Sequence, residues 1–177
     1  MEIRKAEKTD IDRIQRIYEA IHDAEEQGLA VIGWIRDVYP TRKTAEDALA
    51  RGDLFVMTET GRVVAAAVIN QIQVPEYRQA AWEHKAAEDA VMVLHALTVD
   101  PAEKGKGYGR AFVAFYEAYA RDCGCTALRM DTNARNERAR RLYQSLGYRE
   151  AGIVRCVFNG IPGVALVCLE KGLKPVV

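Results

Sequence analysis

The stretch Val99–Tyr116, VDPAEKGKGYGRAFVAFY, sets Gly105, Gly107 and Gly109 on alternate positions, places Lys104 and Lys106 among them, and runs on into residues of helical character. Glycine lets the main chain approach a ligand closely, and a helix start offers unpaired N–H groups with partial positive charge. Both features suit a phosphate. Taken alone, the same residues also describe a glycine-rich turn with solvated lysines, so the flanking elements must decide.

Before the glycines, Val91–Val99 (VMVLHALTV) is nearly all apolar and reads as a central strand buried on both faces. After them, Tyr108, Phe112, Phe115, Tyr116 and Tyr119 mark one face of a helix, and Ala127–Thr132 reads as the next strand. Asn136 begins a helix with Ala139, Leu142, Tyr143 and Leu146 inside, and Gly147 suits its C-terminal cap. Tyr148–Phe158 and Val164–Glu170 form a last hairpin around Asn159–Gly163.

Toward the N-terminus, Leu54–Thr58 and Arg62–Ile72 read as a hairpin around Thr60-Gly61. Ahead of it come a short strand at Glu2–Ala6, a helix with Ile11, Ile14, Ile17 and Ile21 on one face, and a second helix from Thr41 or Thr44 to Ala50. Thr9-Asp10-Ile11-Asp12 resembles a capping box for the first helix. Gly33–Pro40 is expected to be irregular, and Val74–Ala90 an excursion that is partly helical. The order βααββ, excursion, βαβα, ββ describes one mixed α/β domain over residues 1–177.

Composition excludes several classes. The 25 basic and 25 acidic residues cancel, which argues against a non-specific nucleic-acid binder or a charged membrane anchor. The longest apolar run, Val63–Ile69, is too short to cross a bilayer, and the charged start MEIRKAEKTDID lacks a secretory apolar segment. A soluble, cytoplasmic protein is expected. Cys123-Gly-Cys125 has no second pair or nearby histidine to complete four ligands, so no metal is expected and Cys123, Cys125, Cys156 and Cys168 read as reduced thiols.

Two familiar phosphate loops fail on spacing. No Lys-Ser or Lys-Thr pair follows the glycines, as a P-loop requires. The dinucleotide fingerprint would need a third glycine where Arg110 stands and a tight turn directly off the strand, although Asp131 could mimic its ribose-binding acid. By contrast, Lys104-Gly105-Lys106-Gly107-Tyr108-Gly109 resembles the [RQ]-x-x-G-x-[GA] signature of the GNAT superfamily of acetyl-CoA-dependent N-acetyltransferases. The strand Leu94–Val99 before it, Asn133, Asn136 and Tyr143 after it, and the element order over most of the chain match that family too. Lys104 departs from the usual arginine or glutamine; it supplies charge without a planar fork of donors.

The resemblance implies a mixed, mostly antiparallel sheet flanked by helices, and transfer of acetyl from acetyl-CoA to a primary amine of a small molecule or peptide by direct attack in a ternary complex. The alternative is a non-catalytic acyl-CoA-binding module. It also implies that backbone at Leu97, Thr98 and Val99 meets the pantetheine arm, and that the amides from Gly105 to Arg110, with Lys104 and Lys106, hold the pyrophosphate. Asn133 and Asn136 would contact the coenzyme, although Asn136 is equally a natural N-cap. Tyr143 matches the family's tyrosine near the sulfur, where a phenol can protonate departing thiolate; otherwise it is a core residue.

A base is also needed, because a lysine-like amine with a pKa near ~10.4 is neutral in only about one molecule in two thousand at neutral pH. His95, the ionisable residue inside the central strand, titrates in the right range; it could equally be a buried neutral histidine. Glu83, His84 and Asp89 are further candidates. By family habit the acceptor pocket would use Trp34, Arg36 and Tyr39, facing Asn159–Gly163, with Trp82 at its mouth or in a subunit contact of a possible homodimer.

Overall fold

The computed structural model describes residues 1–173. Its seven strands form one sheet: β1 (Glu2–Lys5), β2 (Leu54–Glu59), β3 (Arg62–Asn70), β4 (Val91–Val99), β5 (Ala127–Asn133), β6 (Arg149–Phe158) and β7 (Ile161–Gly172). The order across the sheet is β1-β2-β3-β4-β5-β7-β6. Every neighbouring pair is antiparallel except β4–β5, which is parallel.

Four α-helices flank it: α1 (Ile11–Glu26), α2 (Arg42–Arg51), α3 (Tyr108–Asp122) and α4 (Glu137–Ser145). Alternation along the strands divides the core between the two faces of the sheet. Phe55, Met57, Leu128, Met130, Val167 and Leu169 pack toward α3 and α4 with Phe112 and Tyr116. Leu54, Val56, Ala66 and Val68 pack against Ile14, Ile17 and Ile21 of α1 and Ala45 and Ala48 of α2. The small side chains of β3 let both layers close on a strand buried on both sides.

The excursion at 74–90 covers the rest of the second face. Two short 3₁₀ turns, Pro75–Gln79 and Glu88–Ala90, bracket it. Tyr77 and Trp82 enter a core with Val91, Val93, Ala151 and Leu166, so this segment stands where a helix would otherwise be needed. It is tied down by Ala81 N–H to Ala151 O (2.8 Å) and by the amides of Glu83 and His84 to the buried Glu170 carboxylate. Trp82 Nε1 donates to Tyr77 O at 2.7 Å, and the Arg129 guanidinium lies 4.2 Å from the Trp82 ring centre.

Several local expectations change. The capping box at the first helix joins Glu7 and Asp10 around a 3₁₀ turn rather than starting at Thr9, because Asp10 is also held by Arg4. α2 has its own capping box, Thr41 with Thr44. The last hairpin turns at Asn159-Gly160, both with positive φ, so β7 begins at Ile161 and not at Val164.

The largest departure is in β4. Its first half is buried, but from His95 onward the strand opens. The β4–β5 ladder runs only from Val91–Ala127 to Leu94–Met130, although β4 continues to Val99 and β5 to Asn133. A bulge against β3 falls at the same place, with Ala96 at φ +48°. That left-handed backbone costs an alanine roughly 1–2 kcal/mol, a strain held by the surrounding sheet.

Below the parting, Tyr116 clamps the two strands. Its hydroxyl donates to Met92 O at 2.7 Å and lies 3.1 Å from Arg129 O. Tyr116→Phe should cost about 1–3 kcal/mol, since it leaves buried carbonyl groups without their donor; urea unfolding of the purified variant measures this directly.

Candidate active site

The parting of β4 and β5 opens a cavity of about 1260 Å³ that runs from the α3–α4 side to the segment between α1 and α2. Its first end is built by the glycine loop. Gly105 and Gly107 have φ of +88° and +80°, and a Cβ placed at either meets no protein atom within 4 Å. The space in front of the loop is therefore open. Among the described residues the amides from Gly105 to Arg110 have no main-chain partner, while Gly107 O accepts the first helical bond, from Ala111 at 3.0 Å. These donors, at the positive end of a helix of 15 residues, suit a diphosphate.

Charge at this end follows the same sense. Lys104, Arg110, Arg135, Arg138 and Arg141 line it. The carboxylates there are already paired: Asp100 with Arg13, Glu103 with Arg62 and Lys106, Glu137 with Arg141. Lys106 is thus committed to Glu103 (2.6 Å) and its side chain does not line the cavity. Arg135, Arg138 and Arg141 were missed in the sequence, although they recur at a three-residue spacing in NARNERARRLYQ.

At the middle, His95, Leu97, Thr98 and Val99 line the wall along β4, beyond the last pair with β5. Thr98 Oγ1 donates to Ala66 O at 3.1 Å. Asn133 accepts from Arg135 N–H at 3.0 Å, and its side chain packs so closely on Gly33 that a Cβ there would lie 2.3 Å from Nδ2. Asn136 caps α4, accepting from Ala139 N–H at 3.1 Å. Tyr108 and Gly109 line the cavity where α3 begins.

Tyr143 is buried yet faces the cavity. Tyr77, Tyr116 and Tyr148 all spend their hydroxyls on protein oxygens; Tyr143 has no such partner among the described residues. Burial, reinforced by the Asp131 charge, pushes its pKa well up, so the phenol stays protonated and can donate.

His95 differs from its expected behaviour. Its Nε2 stands 3.0 Å from Asn70 Oδ1, which also accepts from Ile72 N–H, while Asn70 Nδ2 donates to Asp53 and Asp53 pairs with Arg51. Facing an acceptor, Nε2 carries the proton. Burial pushes the imidazole down to about 4, so the ring is neutral at neutral pH and a weak base. The ionisable group that sequence reasoning passed over as a base is Asp131. It is half-buried, lines the cavity, and accepts from Tyr77 Oη at 2.7 Å. Burial lifts it to about 6 despite that hydrogen bond. The signal was present: a lone carboxylate inside the strand ALRMDTN.

The second end is apolar. Trp34 and Tyr39 line it edge to face, with ring centres 5.9 Å apart, opposite Phe158, Asn159 and Ile161 of the last hairpin. Two expected residues are not there. Arg36 turns outward to Asp23 (2.5 Å) and Glu26 (2.8 Å) on the last turns of α1, because that helix end is acidic. Trp82 is buried beside Arg129 and does not line the cavity. Glu83, His84 and Asp89, the other bases considered, also lie outside it. Among the described residues no cluster of three or more metal-ligating side chains occurs, and no helix is long and apolar enough to cross a membrane.

Comparison with known proteins agrees with this architecture. The acetyltransferase (GNAT) family matches residues 14–148, and the chain belongs to that family. It is an acyltransferase. No curated protein matches it. Among solved structures, a GNAT-family acetyltransferase from Streptococcus agalactiae is 22% identical with a TM-score of 0.80, covering 98% of this chain and 95% of that one. The ribosomal-protein-S18-alanine N-acetyltransferase of Escherichia coli is 20% identical with a TM-score of 0.69, over 99% and 96% of the two chains. yncA of Salmonella typhimurium, solved with its cofactor acetyl-CoA, is 22% identical with a TM-score of 0.68, over 100% and 96%. At these identities the likeness is one of fold.

The imidazole of His95 should remain neutral as pH falls and titrate near 4. Its ring resonances, followed by NMR against pH, check this; titration close to the ordinary histidine value of about 6.5 would contradict the described environment.

Proposed function

We propose that this protein moves the acetyl group of acetyl-CoA to a primary amine of a small molecule or peptide by direct attack while both substrates are bound. The observation that carries the reading is the opening between β4 and β5, bounded by unpaired loop amides at one end and an apolar pocket at the other, with the Tyr143 phenol between. When bound, the coenzyme supplies a thioester, an acyl donor whose thiolate can leave.

The chain's own residues would divide the work. Amides from Gly105 to Arg110 bind the pyrophosphate, and Lys104 and the arginines of α4 add positive charge, each exposed charge worth roughly 0.3–1 kcal/mol. The free edge of β4 from Leu97 to Val99 holds the pantetheine arm by main-chain hydrogen bonds, which directs the thioester to the root of the opening. There Tyr143 gives a proton to the departing sulfur. Asn133 and Asn136 fix the turn from β5 into α4 and so place Tyr143. Trp34 and Tyr39 hold the acceptor.

Release of coenzyme A from acetyl-CoA with a panel of primary amines, read by a thiol reagent and by mass of the product, tests the reading; absence of amine-dependent release would reject it. Tyr143→Phe should lower kcat by about 10²–10⁴-fold, the usual range for a general acid, with acetyl-CoA affinity nearly unchanged. Gly107→Ala should do the opposite. Its Cβ would project into the space before the amides, weakening acetyl-CoA binding on the order of tenfold by calorimetry, beside a strain of about 1–2 kcal/mol from the left-handed backbone.

A further inference from the structure

Asp131 is the residue after the last β4–β5 pair, Leu94–Met130, so it stands at the root of the opening. Met130 and Leu128 pack toward α3 and α4; Asp131 alternates to the opposite face, where Tyr77 of the excursion meets it. The other carboxylates along the cavity are each neutralised by a cation at the glycine-loop end. Asp131 has no cationic partner among the described residues. Tyr77 Oη occupies Oδ2, and Oδ1 receives no protein donor there. A half-buried carboxylate without a counter-ion is costly, and this one borders a pocket walled by Trp34, Tyr39, Phe158 and Leu166.

We infer that Asp131 receives the ammonium of the acceptor and takes one proton from it, and that the acceptor is a primary amine carried on an apolar body. This rests on the acetyl-transfer reading above. The ammonium gives one proton to Asp131, and the freed lone pair forms the C–N bond to the acetyl carbon as the C–S bond breaks. The sulfur takes its proton from Tyr143, which is restored by the second proton leaving the nitrogen. Asp131 then releases its proton to water, so amide, thiol and one proton balance the ammonium and thioester consumed.

Tyr77 is a positioning residue: it fixes the carboxylate and leaves one oxygen for the substrate. The ionisable groups around Asp131 are Tyr77 and Glu76, Tyr39 before α2, Tyr143 on α4, Cys156 on β6, Cys168 on β7, and His95 across the opening. Burial drives the phenols and thiols up and His95 down to about 4, which leaves Asp131 to titrate near 6. Its carboxylate is available above that pH and is lost as pH falls through it.

The test uses the full chain with acetyl-CoA and phenethylamine, and hydrocinnamate as the charge-reversed analogue. Wild-type kcat/KM should fall below about pH 6. Asp131→Asn should lose about 10²–10⁴-fold in kcat/KM together with that acidic limb, while calorimetry finds acetyl-CoA affinity within about twofold. Tyr77→Phe should move the limb upward, since it removes a bond to the ionised form, and Glu76→Gln should move it downward, since it removes a like charge. Phenethylamine should bind the coenzyme-loaded wild type more tightly than Asp131→Asn, and hydrocinnamate neither.

Misfolding is checked by sign. A carboxyl whose folded pKa is raised costs stability as pH rises from its unfolded value to about 6, so Asp131→Asn should melt no lower than wild type at neutral pH. Wild-type kcat/KM or an unchanged acidic limb in Asp131→Asn overturns the inference. So does equal phenethylamine binding by both proteins, no phenethylamine binding by wild type, or binding of hydrocinnamate. A wild type that binds no acetyl-CoA overturns the acetyl-transfer reading instead.

Discussion

Two parallel strands that stop pairing before either ends are the constraint on which this molecule is built. Beyond Leu94 and Met130 the facing edges of β4 and β5 have no strand partner among the described residues, and in a closed sheet such groups would be buried and unsatisfied. They remain tolerable because the gap is open and can be filled by solvent or by an extended, amide-bearing ligand. The surroundings hold the gap in place. Tyr116 fastens the strands below it, the bulge at Ala96 turns β4 aside, and Gly33 brings the segment before α2 tightly onto Asn133 at the tip of β5.

The gap also sorts charge. Its α3–α4 end gathers arginines and unpaired amides while neighbouring carboxylates are neutralised in ion pairs, which favours a polyanion. The opposite end is walled by aromatic and aliphatic groups around Asp131. Between them lies Tyr143, protonated because burial and the carboxylate charge both oppose its ionisation. Acidic and basic tendencies are therefore set apart by environment: a phenol that keeps its proton, and a carboxylate lifted toward neutrality. The excursion from 74 to 90 belongs to this arrangement through Tyr77, whose carbonyl accepts the indole N–H of its aromatic partner Trp82.

Much of this was legible in the chain. The glycine loop between an apolar strand and an aromatic-faced helix, the order of elements, and Tyr143 on the inner face of the last helix could all be read from local pattern. Gly105 and Gly107 do adopt the left-handed backbone that only glycine takes without strain. Arg36 and Trp82 were misplaced for different reasons. Arg36 was assigned by its neighbours Trp34 and Tyr39, but an acidic helix end more than eight residues away in sequence captured it. Trp82 lies in a segment without periodicity, whose path depends on Ala151 and Glu170 from the far end of the chain.

The sequence by itself determined the elements, their order and the left-handed glycines of the turn before α3, because periodicity, caps and glycine conformations are local properties of the chain. Only the tertiary structure decided where β4 stops being buried, that His95 is bonded to Asn70 and held neutral by burial, and that Asp131 faces a cavity beside Tyr77. A side chain's proton affinity depends on the groups and solvent around it, and those arrive from distant parts of the chain only when it folds.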